Sequence, residues 1–160
     1  MQSSAIEMEV EDFYYEYIEC SHYYRRIIYR DLLVLHRLYT DNILYAEDST
    51  DYHKILRARV HLKWDTGHIV YLNLSGLLQG NIPEYIDQLF ELKYLFLESC
   101  RLDSIPSVLG ELPQLYHLYL DDNPIQCNVS QYVDTALSEG KYQSLYLLSS
   151  DHSLIYIQNE

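Results

Sequence analysis

Apolar residues return in this chain at a fixed interval of 23. Ile69, Leu92 and Leu115 are spaced by 23 and 23 again; Leu72, Leu95 and Leu118 share that spacing, as do Leu74, Leu97 and Leu120. Ile86 matches Leu109, Leu89 matches Leu112, and Ile82-Pro83 matches Ile105-Pro106. A period of this length signals a repeat architecture, in which one short unit cannot bury its own apolar residues and must stack on its neighbours. The "LxxLxL" half of each unit alternates with period two, which predicts a short strand with leucines on one side and the intervening residues on the other. The other half, "IPEYIDQLFEL" or "IPSVLGELPQL", opens on Pro and spaces its apolar residues by three. That predicts a short 3₁₀ or α turn returning the chain to the next strand. Stacked units of this kind make a continuous core with a parallel sheet along one face.

The totals fit such an array. With 160 residues, 48% of them hydrophobic, there is enough apolar surface for one domain. Cys20, Cys100 and Cys127 lie far apart with no CxxC pair, so they read as reduced and structural, against a zinc site or a disulfide scaffold. The start, "MQSSAIEMEVEDFYYEYIEC", is acidic and aromatic and has no leader pattern, and no apolar run reaches membrane-span length. A cytoplasmic location is the resulting expectation, with a secreted origin left open. The formal charge is −13; residues 1–22 carry six acids and no base, and residues 67–126 carry eight acids against two bases. That distribution disfavours nucleic acid as a partner, since phosphate binding needs concentrated Lys and Arg. Arg25, Arg26, Arg30, Arg37, Arg57 and Arg59 are the basic exception, and solvated helix faces are the preferred reading of them.

The repeats resemble those of leucine-rich repeat proteins. The family pattern "LxxLxLxxNxL", with Asn or Cys at its ninth position, is matched by Leu92, Leu95, Leu97, Cys100 and Leu102, and again by Leu115, Leu118, Leu120, Asn123 and Ile125. The resemblance implies that Cys100 and Asn123 hydrogen-bond the backbone where the chain leaves the strand. The first repeat, "LNLSGLLQGNIP", is one residue short around that position. Gly80 to Pro83 is similar to the Gly-x-Ile-Pro of plant-type and bacterial members, "RDLLVLHRLYTDN" resembles their N-terminal cap helix, and "LKWDTGHIVYLNLSG" the hairpin that follows. The implied fold is an α/β leucine-rich repeat solenoid with a short curved parallel sheet. From the residues themselves, Val60, Leu62 and Trp64 alternate, and Asp65-Thr66-Gly67 makes a turn with Gly where positive φ is wanted.

Four segments follow: an acidic Tyr-rich arm over residues 1–22, a helix-and-hairpin cap over 23–66, three repeats over 67–126, and a degenerate closing repeat over 127–160. The cap helix is expected over about residues 21–40, on the stripe Tyr24, Ile27, Ile28, Leu32 and Leu35. In the closing segment "NVSQYVDTALSEGK" reads as a helix ending at Gly140, and "YQSLYLL" as a strand with Leu145 and Leu147 inward. The interval from Leu118 to Leu145 is 27 rather than 23. Asn128-Val129-Ser130 is a glycosylation sequon, for which a helix-capping role is preferred.

A search for catalysis finds no positive sign. His22, His36, His53, His61, His68, His117 and His152 form no HExxH or i, i+4 pair, GxSxG is absent, and the five glycines do not cluster into a phosphate loop. His117 with Asp121 is the only dyad that suggests itself, and a contact role is preferred for it. No cofactor or metal is expected. The residues between the leucines remain, on the concave side: Tyr71 and Asn73; Tyr94, Phe96 and Glu98; Tyr116, His117, Tyr119 and Asp121; and Tyr146. They fall into one column of Tyr71, Tyr94 and His117, and a neighbouring one of Asn73, Phe96, Tyr119 and Tyr146. Tyr and Phe contribute contact area with few rotors to freeze, and Glu98, Asp121 and Asp122 at the margin favour a basic partner. The expectation is a non-catalytic protein-binding module. The alternative is a self-assembling scaffold that oligomerises through the Tyr-rich arm or the concave face.

Overall fold

The alternating segments form strands and the Pro-led segments form 3₁₀ turns, as the two halves of the period dictate. A computed structural model describes residues 29–41, 59–62, 66–125, 144–148 and 154–158. The arm, the expected helix after Cys127, the sequon at Asn128 and the first part of the cap helix lie outside these residues. The described elements are helix α1 (Tyr29–Thr40) and strands β1 (Val60–Leu62), β2 (Ile69–Asn73), β3 (Tyr94–Phe96), β4 (His117–Tyr119), β5 (Ser144–Leu148) and β6 (Leu154–Gln158). They make an α/β arrangement with one mixed six-stranded sheet in chain order. β2 to β5 run parallel, while β1 and β6 close the two ends antiparallel. The 3₁₀ segments Glu84–Gln88 and Ser107–Glu111 follow Pro83 and Pro106, whose φ values of −71° and −63° suit a helical start.

The 23-residue interval is visible as repeated bonding. Leu74 N–H donates to Phe96 O and Leu97 N–H to Tyr119 O, both at 2.9 Å; Ile86 N–H donates to Pro83 O and Leu109 N–H to Pro106 O, at 3.2 and 3.1 Å. One row of the sheet, Val60, Leu72, Leu95 and Leu118, is fully buried. Its register continues to Leu147 and Ile155 on β5 and β6. Ile86, Leu89, Leu109 and Leu112 of the return segments close the core from the other side. Each such side chain contributes roughly 1.5–3 kcal/mol on burial, so the core is the main source of stability.

Each strand exit turns through a left-handed residue at the same place in the period: Gly76 at φ 70°, Ser99 at 52° and Asp122 at 56°. The next residue is the ninth of the pattern, and its side chain stitches neighbouring exits together. Asn123 Oδ1 accepts from Cys100 N–H at 2.9 Å and Leu102 N–H at 3.0 Å, while its Nδ2 donates to Leu97 O at 2.7 Å and Leu120 O at 2.9 Å. The Cys100 thiol donates to Leu74 O at 3.2 Å, and burial pushes its pKa up, which leaves it a structural group. In the first repeat Leu77 holds the ninth place and can only pack. The first repeat is not shortened, since eight residues separate Leu74 from Ile82 as they do Leu97 from Ile105. A second left-handed residue follows the exit in both repeats, Gly80 at φ 86° and Arg101 at 58°, and a Cβ on Gly80 would stand 3.0 Å from Arg101 O.

Helix α1 buries Leu32, Val34, Leu35 and Leu38. Asp31 in its first turn accepts Ile69 N–H at 2.6 Å, tying the helix to the start of β2. Three basic residues expected on solvated faces do other work. The Arg37 guanidinium lies 3.8 Å from the centroid of Tyr85, and Arg30 lies 5.4 Å from that of Phe90. Arg59 donates to Ser75 O at 2.8 Å and Asn73 Oδ1 at 3.3 Å. Guanidinium planes match both ring faces and carbonyl forks, which composition alone does not reveal.

The hairpin between β1 and β2 forms as the turn chemistry requires, with Gly67 at φ 75° and a register shift between His61 and Leu62. β6 is an addition to the expected closing segment. Its "LIYIQ" departs from the degenerate repeat expected over residues 127–160, because a strand turning back antiparallel needs no 23-residue spacing.

Candidate partner-binding face

The face opposite the leucine core is built by strand alternation, and the register sorts its residues into rows running across the strands. One row pairs His61 with Tyr71, Tyr71 with Tyr94, Tyr94 with His117, His117 with Tyr146 and Tyr146 with Tyr156. An aromatic ring type therefore occupies this register on every strand. The adjoining row runs Asn73, Phe96, Tyr119, Leu148 and Leu154.

Tyr146 thus falls beside His117, not in the column of Phe96 and Tyr119 where its distance from Leu118 places it. The register pairs Leu118 with Leu147, two residues further on than Leu145. Alternation with period two fixes which face a residue is on, and a slip of two residues leaves that pattern intact. The face could be read from the sequence, while the row could not.

The rings pack against each other. Phe96 and Tyr119 stack with centroids 4.2 Å apart and planes 6° off parallel; Tyr94 and His117 stack at 4.8 Å and 12°; His61 and Tyr71 at 4.3 Å and 19°. Tyr71 also meets Phe96 at 5.0 Å, and Tyr116 meets His117 edge-on at 4.5 Å. Parallel rings this close can only lie face to face, and strands are spaced by about 4.8 Å. Their planes therefore stand across the direction from strand to strand. Ring faces are spent on neighbouring rings. The rings form a ladder of stacked pairs across the strands. Among the described residues Tyr94 is the exposed large hydrophobic, at 37%, and His61 is exposed as well; Tyr71, Phe96, Tyr116, His117 and Tyr119 are half-buried.

The polar members of the expected site divide by role. Asn73 Oδ1 accepts Ser75 N–H at 2.9 Å as well as Arg59, so it organises the first strand exit. Glu98 Oε2 accepts from Ser75 Oγ at 3.0 Å, and Glu98 N–H donates back to that oxygen at 3.2 Å. Asp121 is half-buried and its carbonyl accepts Ser99 N–H at 2.9 Å. Burial, followed by the Glu98 carboxylate, raises the Tyr119 pKa, and burial lowers that of His117. Both shifts favour the neutral forms of Tyr119 and His117, and carboxylates lie along one side of the ladder.

Tyr71, Tyr94, Phe96, Tyr116, His117 and Tyr119 are brought together as expected, and Tyr146 joins them in register, its side chain lying outside the described residues. His61 was not among the expected contacts. Its place between Val60 and Leu62 on an alternating strand is the sequence signal that marks it. A separate open hollow of about 510 Å³ lies between α1 and the first 3₁₀ segment, lined by Arg37, Asp41, Pro83, Glu84, Tyr85, Asp87 and Gln88. Among the described residues no cluster of His, Cys, Asp and Glu converges on a metal-binding geometry, and no helix is long and apolar enough to cross a membrane. No family model matches the chain, and no solved structure matches it significantly.

Proposed function

We propose that this chain is a leucine-rich repeat solenoid acting as a non-catalytic module that binds a protein partner on its aromatic sheet face. The 23-residue recurrence of strand, left-handed exit, ninth-position stitch and 3₁₀ return supports the fold assignment. The single observation that carries the function is the stacked ladder, most of all the Phe96–Tyr119 and Tyr94–His117 pairs. A stiff aromatic surface binds with little entropy left to lose, which favours affinity over an equal area of flexible side chains. Carboxylates at Glu98, Asp121 and Asp122 complement a basic partner and steer its approach.

The test is capture of partners from a lysate by the immobilised chain, identified by mass spectrometry. Phe96→Ala with Tyr119→Ala should abolish capture while the circular dichroism spectrum stays that of the wild type. Undiminished capture by the folded double variant would move the site off this face.

A further inference from the structure

The two ends of the sheet are not alike. A strand at a sheet edge carries backbone N–H and C=O groups with no neighbour on one side, and proteins usually blunt such edges with bulges, charges, proline or very short strands. β1 is blunted in two of these ways, being three residues long and broken in register between His61 and Leu62. β6 has none of these protections. It is five residues long, pairs with β5 in unbroken register from Leu154 to Gln158, and its sequence "LIYIQ" contains neither charge nor proline. Among the described residues no strand pairs with its outer side.

We infer that β6 is a self-association edge, pairing antiparallel with β6 of a second copy of this chain about a two-fold axis normal to the sheet and centred on Tyr156. Such an axis keeps the two faces of the sheet on their own sides. Tyr156 then lies opposite Tyr156 of the second copy, continuing the row that begins at His61. Ile155 then lies opposite Ile157 in register, and Leu154 opposite Gln158. Any other centre puts Tyr156 out of line with its symmetry mate. A two-fold pairing also closes on itself, whereas parallel pairing of edges does not. A foreign strand added here would supply the same backbone bonds, yet it would need its own aromatic at the matching place. The second copy has one by symmetry. Joining the edges makes a single sheet with the aromatic row running through both molecules.

Charge sets the sign of the salt response. Two chains of formal charge −13 repel, so salt strengthens this dimer. The experiment is sedimentation velocity on the full chain over a concentration series at low and high salt, with Tyr156→Lys, Tyr156→Glu and Tyr94→Lys compared. Like charges directly opposite each other destabilise a strand pair, and opposite charges support it. The expected result is a wild-type dimer that grows with concentration and salt, monomers for Tyr156→Lys and for Tyr156→Glu alone, and a dimer again in their equimolar mixture. Tyr94→Lys, in the same row but three strands inward, should still dimerise. A wild-type chain that stays monomeric throughout overturns the inference and leaves the edge to a strand from another protein. Loss of the dimer in Tyr94→Lys with retention in Tyr156→Lys also overturns it, placing the contact on the sheet face. Partner capture by the Phe96 and Tyr119 face is read separately, so either proposal can fail alone.

Discussion

Five backbone groups from two strand exits converge on the buried amide of Asn123. Asn123→Ala leaves those groups unsatisfied, at a cost of about 3 kcal/mol or more, to be read as a lower urea midpoint. Cys100→Ala gives up only weak thiol bonds and should cost about 1 kcal/mol. A result in which the two variants are equal would mean that the amide does not stitch the exits. Both roles were legible in the sequence, since the ninth position of the repeat names them. Asp31 was not, because its partner Ile69 is 38 residues away and only the packed helix brings them together. Burial raises the pKa of Asp31 against the opposing pulls of the Ile69 bond and His68. With the folded pKa above the unfolded one, its ionisation weakens the fold as pH rises through that interval. Asp31→Asn keeps an acceptor for Ile69 and loses the buried charge. Its stability should therefore match the wild type in acid and equal or exceed it at neutral pH, whereas Asp31→Ala should be less stable throughout. Parallel urea curves across pH would decide this.

At the level of the element, the identity of every strand but β6 was legible and the register only partly so. Alternation marks "YQSLYLL" as β5 and assigns its faces, but a 27-residue interval cannot say which leucine meets Leu118; pairing with both β4 and β6 settles it on Leu147. The ladder's ring stacking was likewise out of reach, since it follows from strand spacing and side-chain rotation rather than from residue type. His117 on β4 gives the ladder a pH dependence. Its ring is stacked on Tyr94 from β3 and touched edge-on by Tyr116, and burial lowers its pKa. A histidine whose folded pKa lies below its unfolded value near 6.5 favours the fold above that value and withdraws that contribution as pH falls through the folded pKa. His117→Phe keeps a ring to stack and has no proton to gain. Between about pH 7.5 and pH 5 the wild type should therefore lose more thermal stability than the variant. Identical losses would show that the imidazole titrates as freely as in an unfolded chain.

For the whole molecule, net charge opposes packing in a way that separates the fold from its interactions. The formal charge of −13 means that carboxylates repel across the array, including those of Glu98, Asp121 and Asp122 beside the ladder. Screening this repulsion stabilises the folded chain, so its urea midpoint should rise between about 0.02 M and about 0.5 M salt, where the Debye length shrinks from roughly 20 to 4 Å. Capture of a basic partner should move in the opposite direction, because the same ions screen the attraction that guides it to the acidic margin. The effect belongs mainly to the association rate, so stopped-flow or biosensor traces should show a slower approach at high salt and little change in departure. Substituting Asp121 and Asp122 with Asn should flatten the salt dependence of the association rate while leaving the ladder intact. If the rate keeps its full salt slope in that variant, the partner is steered by charges elsewhere on the chain, and the carboxylates beside the ladder serve the fold alone.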